Sequence, residues 1–340
     1  MLLGTPAPLW PGQAEDPLKA ALELHDAGKL KEALAEYDKT IKAHPKLAVA
    51  YFNRGNVYFD LGQDQQALRD YTAAIRLNPK DSEAFYNRGN VHRRMKQFPP
   101  ALKDYAAAIA LASEDPRSYV NRGAIHFDAK RYELAVKDFT EAIRIDPKDA
   151  RNYFNRANSY LALDEKDQAI KDYDEALGRD PKLADAYYNR GIAYAHLSQQ
   201  ENAIRDFDET LKLNPKSAEA FYNRGLAKMR SGNFEAAIED YSAASRLNPK
   251  DPEAPFNRGL SYLRIDKYDF AARDFTQVVV LQPSNADAYV YRGLIRVYQQ
   301  RDQEAESDFR KAFQLNPGLK KKLQPIIDNA RVKAKAKAKK

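Results

Sequence analysis

The chain has 340 residues, 55 lysines and arginines against 48 acids, a net charge of +7 and no cysteine. That composition excludes disulfides, thiolate metal sites and thiol nucleophiles, and no apolar run of about 18 residues is present to span a membrane. The charge is uneven: residues 320–340 hold nine basic residues and one acid, Asp328, which leaves the remainder at a net −1.

The chain opens with MLLGTPAPLWPGQAED, apolar, rich in proline and free of basic residues. Residues 1–16 read as a flexible extension. A second reading stays open, because Gly12 and Ala14 ahead of Glu15 and Asp16 also suit the end of a secretory signal. The first goes with a cytoplasmic protein and is preferred; the second makes residues 1–14 a signal remnant of an exported or periplasmic one.

From there a period of 34 residues governs the chain. AFYNRG stands at residues 84–89 and again at 220–225, four periods apart, and copies of the surrounding pattern begin near Tyr51, Phe85, Tyr119, Tyr153, Tyr187, Phe221, Pro255 and Tyr289. A weaker copy precedes them, which makes nine repeats over residues 17–319. Within one copy Tyr187, Gly191 and Tyr194 form a helical stripe, and Ala203, Phe207 and Thr210 form another. A polar turn separates the two stripes. Units mostly close on proline, as at Pro79, Pro147, Pro181, Pro215 and Pro249, which stops the second helix by removing a donor. The next first helix then starts on a capping side chain: Asp81, Asp149, Ser217 or Asp251. The fold class expected is therefore all-α, one helix-turn-helix per repeat.

Past the repeats, Leu319, Leu323, Ile326, Ile327 and Ala330 form a stripe suited to a capping helix over residues 320–332, interrupted by Pro325. Residues 333–340, KAKAKAKK, read as a basic, disordered tail.

Tyr187, Gly191, Tyr194, Ala203, Phe207 and Pro215 carry a resemblance to the tetratricopeptide repeat (TPR) family that covers about nine tenths of the chain. Local departures are Ser113 for proline, Ala157 for glycine, and Thr210 and Val278 for alanine. The resemblance implies a right-handed α-solenoid with a concave surface, because a single helix pair cannot cover its own apolar face.

Two positions recur beyond what the helix pattern needs. Arginine occupies positions 54, 88, 122, 156, 190, 224, 258 and 292, and each time an aspartate follows 16 residues later. These read as structural ion pairs, within a unit or to the unit before. Asparagine precedes the arginine seven times, at Asn53, Asn87, Asn121, Asn155, Asn189, Asn223 and Asn257; Tyr291 breaks the run. Mid-helix asparagine costs about 0.6 kcal/mol relative to alanine, so seven cost about 4 kcal/mol if they contribute nothing.

Two accounts of that row stay open. Each amide bonds to the neighbouring repeat, or the row is a ladder that holds the backbone of an extended partner. The row is similar to the asparagine ladder of the repeat domain of O-GlcNAc transferase, which implies a peptide-binding concave groove. Phe52, Asn56, Tyr86, Asn90, Phe154, Asn158, Tyr188, Tyr222 and Phe256 flank it. One turn beyond the ladder, Asn56, Asn90, Ala124 and Asn158 give way to Ile192, Leu226, Leu260 and Leu294. Repeats advance about 10 Å and an extended chain about 3.3 Å per residue, so a rung meets every third peptide residue. Seven rungs at about 1 kcal/mol each give micromolar or weaker binding.

No phosphate loop, dinucleotide fingerprint, zinc-protease helix or serine elbow is present, so no enzyme, cofactor, metal or catalytic residue is expected. His92 and His126 stand where sister repeats carry Tyr58 and Tyr160 and read as packing rings. The function expected is a protein-interaction adaptor whose partner is another protein, bound through an extended segment or a helix. Alternatives are a self-associating scaffold, and weak nucleic-acid binding through Lys333, Lys335, Lys337, Lys339 and Lys340. A carboxylate clamp of the co-chaperone kind has its amides in Asn53, Asn56, Asn87 and Asn90 but lacks the lysines, with Val120 and Asn121 in the third place.

Overall fold

Helix follows helix from Glu15 to Ala338 in the computed structural model, which describes residues 15–338. The extension expected over residues 1–16 therefore lies almost wholly outside the described residues.

The helices divide between two compact units, one up to Arg179 and one from Asp180. The first holds five pairs: α1 (Glu15–Asp26) and α2 (Leu30–Ala43), α3 (Ala48–Asp60) and α4 (Asp64–Leu77), α5 (Ser82–Arg94) and α6 (Phe98–Leu111), α7 (Pro116–Asp128) and α8 (Tyr132–Ile145), α9 (Ala150–Ala162) and α10 (Lys166–Arg179). The second holds α11 (Ala184–His196) and α12 (Gln200–Leu213), α13 (Ala218–Arg230) and α14 (Phe234–Leu247), α15 (Glu253–Arg264) and α16 (Tyr268–Leu281), α17 (Ala286–Tyr298) and α18 (Asp302–Leu315), closed by α19 (Gly318–Ala338). Within each unit every helix packs on its hairpin mate and on the next pair, so the fold is an all-α solenoid of TPR-type repeats with no strand among the described residues.

The capping logic holds. Asp81, Asp115, Asp149, Ser217 and Asn285 accept from first-turn amides at 2.9–3.2 Å, and Asp251 accepts from the Glu253 amide at 3.0 Å. Turns between paired helices share one left-handed residue. It is glycine at Gly28, Gly62 and Gly232, but Lys96, Lys130, Asp164, Ser198, Asp266 and Gln300 take φ of 57–65° in the other six.

The core repeats as well. In α6, Ala101, Tyr105 and Ala108 are buried; Gly89 of α5 lies on the Tyr105 ring, while Ala84 and Val91 of α5 pack back on Ala67, Tyr71 and Ala74 of α4. A Cβ on Gly89 would lie 2.9 Å from the Tyr105 ring, which is why glycine recurs there. Ala157 holds the same place in α9 fully buried, and Thr210 and Val278 are buried where alanine was expected. The departures are absorbed locally.

At the far end α19 starts earlier and runs longer than the sequence suggests. It passes through Pro325 and stays helical to Ala338, so the disordered tail expected from residue 333 is helix over nearly its whole length. Ile327, Ala330 and Ala334 are buried against Val297, Ala305 and Phe309, and alternating lysine and alanine are strong helix formers that extend the segment past that contact. Lys339 and Lys340 lie outside the described residues. No helix among the described residues is long and apolar enough to cross a membrane.

Candidate functional site

The arginine–aspartate pairs form in all eight places. Arg54 Nε and Nη2 reach the two carboxylate oxygens of Asp70, both at 2.7 Å, and the same fork joins Arg88–Asp104, Arg122–Asp138, Arg156–Asp172, Arg190–Asp206, Arg224–Asp240, Arg258–Asp274 and Arg292–Asp308. The remaining nitrogen reaches the repeat before: Arg54 to Asp38 at 2.6 Å, Arg88 to Thr72 at 3.2 Å, Arg156 to Thr140 at 3.1 Å and Arg258 to Ser242 at 3.0 Å. The ion pair therefore forms within the unit, and the repeat before is reached not through its corresponding carboxylate but through the residue two positions further on, a hydroxyl in three of these four cases. Hydrogen bonds to Asp70, Asp172 and Asp274 raise Arg54, Arg156 and Arg258 further above their ordinary range. Asp274 is the carboxyl where burial outweighs its arginine and pushes it up.

The ladder residues sit on the neighbouring stripe of the same first helices. Each aromatic beside the ladder tilts against the buried ring of its own second helix, at 5.6–6.1 Å for Phe52–Tyr71, Tyr86–Tyr105, Phe154–Tyr173, Tyr188–Phe207, Tyr222–Tyr241 and Phe256–Phe275. Beneath them Tyr71, Tyr105 and Tyr173 donate to Asn56, Asn90 and Asn158 at 2.6–2.8 Å. Burial pushes the Tyr71 and Tyr105 hydroxyls well up, so they remain donors. Where the second helix carries Phe139, Phe207, Phe275 or Phe309, the first helix carries Ala124, Ile192, Leu260 or Leu294. Apart from Tyr37 with Leu22 and Tyr241 with Leu226, the polar-to-apolar change along the row thus tracks the ring below it.

Several of the asparagine amides are engaged across the repeat seam. Asn87 donates to Asn56 at 3.0 Å, and Asn121 to Asn90 at 3.0 Å and to Tyr86 Oη at 3.2 Å. In the second unit Asn223 donates to Tyr188 Oη at 2.8 Å and Asn257 to Tyr222 Oη at 3.1 Å. Asparagine therefore helps set repeat stacking, as arginine does. Asn53, Asn257 and Phe52 are buried, whereas Asn87, Asn121, Asn155, Asn189 and Asn223 remain partly exposed. The acceptor role of Tyr86, Tyr188 and Tyr222 was missed from sequence. The signal was there: the tyrosine hydroxyl recurs 35 residues before the asparagine it serves.

His92 and His126 occupy the tyrosine places, with Nε2 3.8 and 3.9 Å from Asp104 and Asp138. Among the described residues no group of histidine, aspartate and glutamate is arranged to hold a metal ion.

Comparison with known proteins agrees with this architecture. Family models described as TPR repeat match residues 21–62, 55–96 and 227–266, and models described as tetratricopeptide repeat match 116–149, 154–218 and 256–319. No curated protein matches in sequence. Among solved structures, PilF of Pseudomonas aeruginosa is similar at 21% identity and a TM-score of 0.50, over 60% of this chain and 92% of its own. YrrB, a TPR protein with an unusual peptide-binding site, shares 28% identity at a TM-score of 0.49, over 54% and 94%. MamA from Desulfovibrio magneticus RS-1 shares 24% at 0.48, over 50% and 96%. With repeat models spanning most of the helical region and the same helix pair recurring through both units, the chain belongs to the tetratricopeptide repeat family.

Proposed function

We propose that the chain is a non-catalytic protein-interaction scaffold that takes an extended segment of a partner protein along the first-helix face. The observation that carries this reading is the row of partly exposed amides, Asn87, Asn121 and Asn155 in one unit and Asn189 and Asn223 in the other, flanked by half-buried aromatic rings. A primary amide has two donor hydrogens and a carbonyl oxygen, so one bond such as Asn87 to Asn56 leaves capacity for a peptide backbone. Rings that rest on their own second helix offer rigid apolar surface between the amides. The TPR family supports the reading, since its arrays expose such faces to other proteins.

The test is selection of a displayed random peptide library on the purified full chain, followed by titration of a selected peptide. Asn87→Ala, Asn121→Ala and Asn223→Ala combined should weaken binding about tenfold or more, from the loss of rungs worth about 1 kcal/mol each, while circular dichroism keeps its helical signal. Unchanged affinity in a folded triple variant rejects the first-helix face.

A further inference from the structure

The rungs are not equivalent, and two lack an internal partner: Asn53, which follows Leu18 and Leu22 and is buried, and Asn155, which is partly exposed. Asn121, Asn223 and Asn257 each donate to a tyrosine hydroxyl of the preceding repeat, and Asn87 and Asn121 to an asparagine oxygen there. For Asn155 both suppliers are gone. Val120 stands where the other repeat has Tyr86, and Ala124 where it has Asn90. Neither can accept a hydrogen bond, and no side-chain bond ties the Asn155 amide to the protein. Val120, Ala124 and Asn155 are each partly open to solvent.

A second observation concerns the ring below. Phe139 occupies the place of Tyr105 and Phe207, which are each covered by a tilted ring from the first helix. Over Phe139 the corresponding residue is Val120, so that ring pair is missing. The chain answers the same loss differently elsewhere. Phe256 and Leu260 offer no acceptor to the next repeat, and there asparagine gives way to Tyr291, whose ring stacks on Phe275 at 5.2 Å. At Asn155 the asparagine is kept with nothing to bond.

We infer that the Asn155 rung is completed by a tyrosine side chain of the bound segment. Its hydroxyl accepts from Asn155 Nδ2 and its ring lies over Val120 and Ala124, as Tyr86 serves Asn121 one repeat earlier. The inference rests on the reading that this face binds an extended segment, and it adds the residue that fixes the register. All of its groups belong to α7, α8 and α9 of the first unit.

The experiment sets the wild-type full chain beside Val120→Tyr, which supplies the missing ring and hydroxyl from within, and Asn155→Ala, which removes the donor. Each is used to select a displayed random dodecapeptide library. Wild type should enrich peptides with tyrosine at one fixed position, and replacing that tyrosine by phenylalanine should weaken binding about fivefold, the loss of one hydrogen bond. On Asn155→Ala the tyrosine and phenylalanine peptides should bind equally. Val120→Tyr should melt higher than wild type and still enrich peptides, without the tyrosine preference. Peptides enriched without tyrosine, or a preference surviving in both variants, overturns the inference and leaves the first-helix face standing. If none of the three proteins enriches any peptide, the face itself fails and this rung with it.

Discussion

Arg122 and Asp138 form a two-pronged bond, Nη2 to Oδ1 at 2.6 Å and Nε to Oδ2 at 3.0 Å, with the carboxylate nearly buried between α7 and α8. Its siblings Arg54, Arg88, Arg156 and Arg258 each spend a third nitrogen on the preceding repeat. The equivalent of Thr72 before Arg122 is Ala106, so this pair stands without that support.

Removing Asp138 leaves the half-buried Arg122 guanidinium uncompensated. Asp138→Ala should therefore lower stability by about 3 kcal/mol, read as a lower urea midpoint and as faster amide exchange in α7 and α8. Replacing both, Arg122→Met with Asp138→Leu, should recover much of that loss, because matched apolar groups need no desolvated charge. Equal loss in the single and double variants would show that these pairs add stability as well as geometry.

The left-handed turn residues give a prediction of opposite sign. A residue with a Cβ loses about 1 kcal/mol or more in that conformation, yet Lys96, Lys130 and Gln300 adopt it at φ 57–61°. Gly28, Gly62 and Gly232 show that glycine fits the same turn, and a Cβ added to any of them would meet nothing within 4 Å. Lys96→Gly, Lys130→Gly and Gln300→Gly should each raise stability by about 0.5 kcal/mol, the strain relieved less the extra entropy of glycine. The check is the denaturation midpoint of the triple variant; a fall would mean that these turns are not strained.

Much of this was legible in the chain itself. Nine repeats, the caps at Asp81 and Ser217 and the Arg54–Asp70 pairing follow from spacing, because helix hairpins bring residues 16 apart together in every copy. The asparagine row was legible only as two alternatives. A helical stripe places Asn87 on a face but does not reveal that Asn56, 31 residues earlier, lies 3.0 Å from its amide. That distance depends on how one pair stacks on the next, which the period of one helix does not encode. The tail was misjudged because charge patterning argues against a packed segment, while Ala330 and Ala334 anchor α19 on the last pair.

His126 makes stability depend on pH. Burial pushes its imidazole below the ordinary 6.5, against the pull of Asp138 and with Arg131 and Arg122 lowering it further, and its Nδ1 is buried without a partner. The unfolded chain then binds the proton more tightly than the folded one. Stability is full above about pH 6.5 and falls as pH drops from there toward the lowered folded value. His126→Tyr, the residue of the sister positions Tyr58 and Tyr160, should remove this component. Melting temperatures at pH 7.5 and 5.5 decide it: wild type should lose more than the variant over that interval, and equal losses refute the assignment.

Asn90 accepts from two directions, Tyr105 Oη at 2.8 Å and Asn121 Nδ2 at 3.0 Å, so it ties the ring below to the repeat after. Asn90→Leu alone orphans the buried Tyr105 hydroxyl and should cost about 1–3 kcal/mol; Tyr105→Phe alone removes one donor and should cost about 1 kcal/mol. Together they recreate the pairing of Phe275 with Leu260, which the chain already uses. The double variant should therefore cost less than the sum by about 1 kcal/mol, the coupling expected of residues in direct contact. Two pairs limit the rule: Tyr37 with Leu22, whose hydroxyl is buried without a partner, and Tyr241 with Leu226, whose hydroxyl reaches only Met229 Sδ at 3.8 Å. Leu226→Asn should supply that hydroxyl with an acceptor and raise stability. If the Asn90 and Tyr105 effects add without coupling and Leu226→Asn is destabilising, the pattern of asparagines and leucines along the row is not set by the rings beneath it.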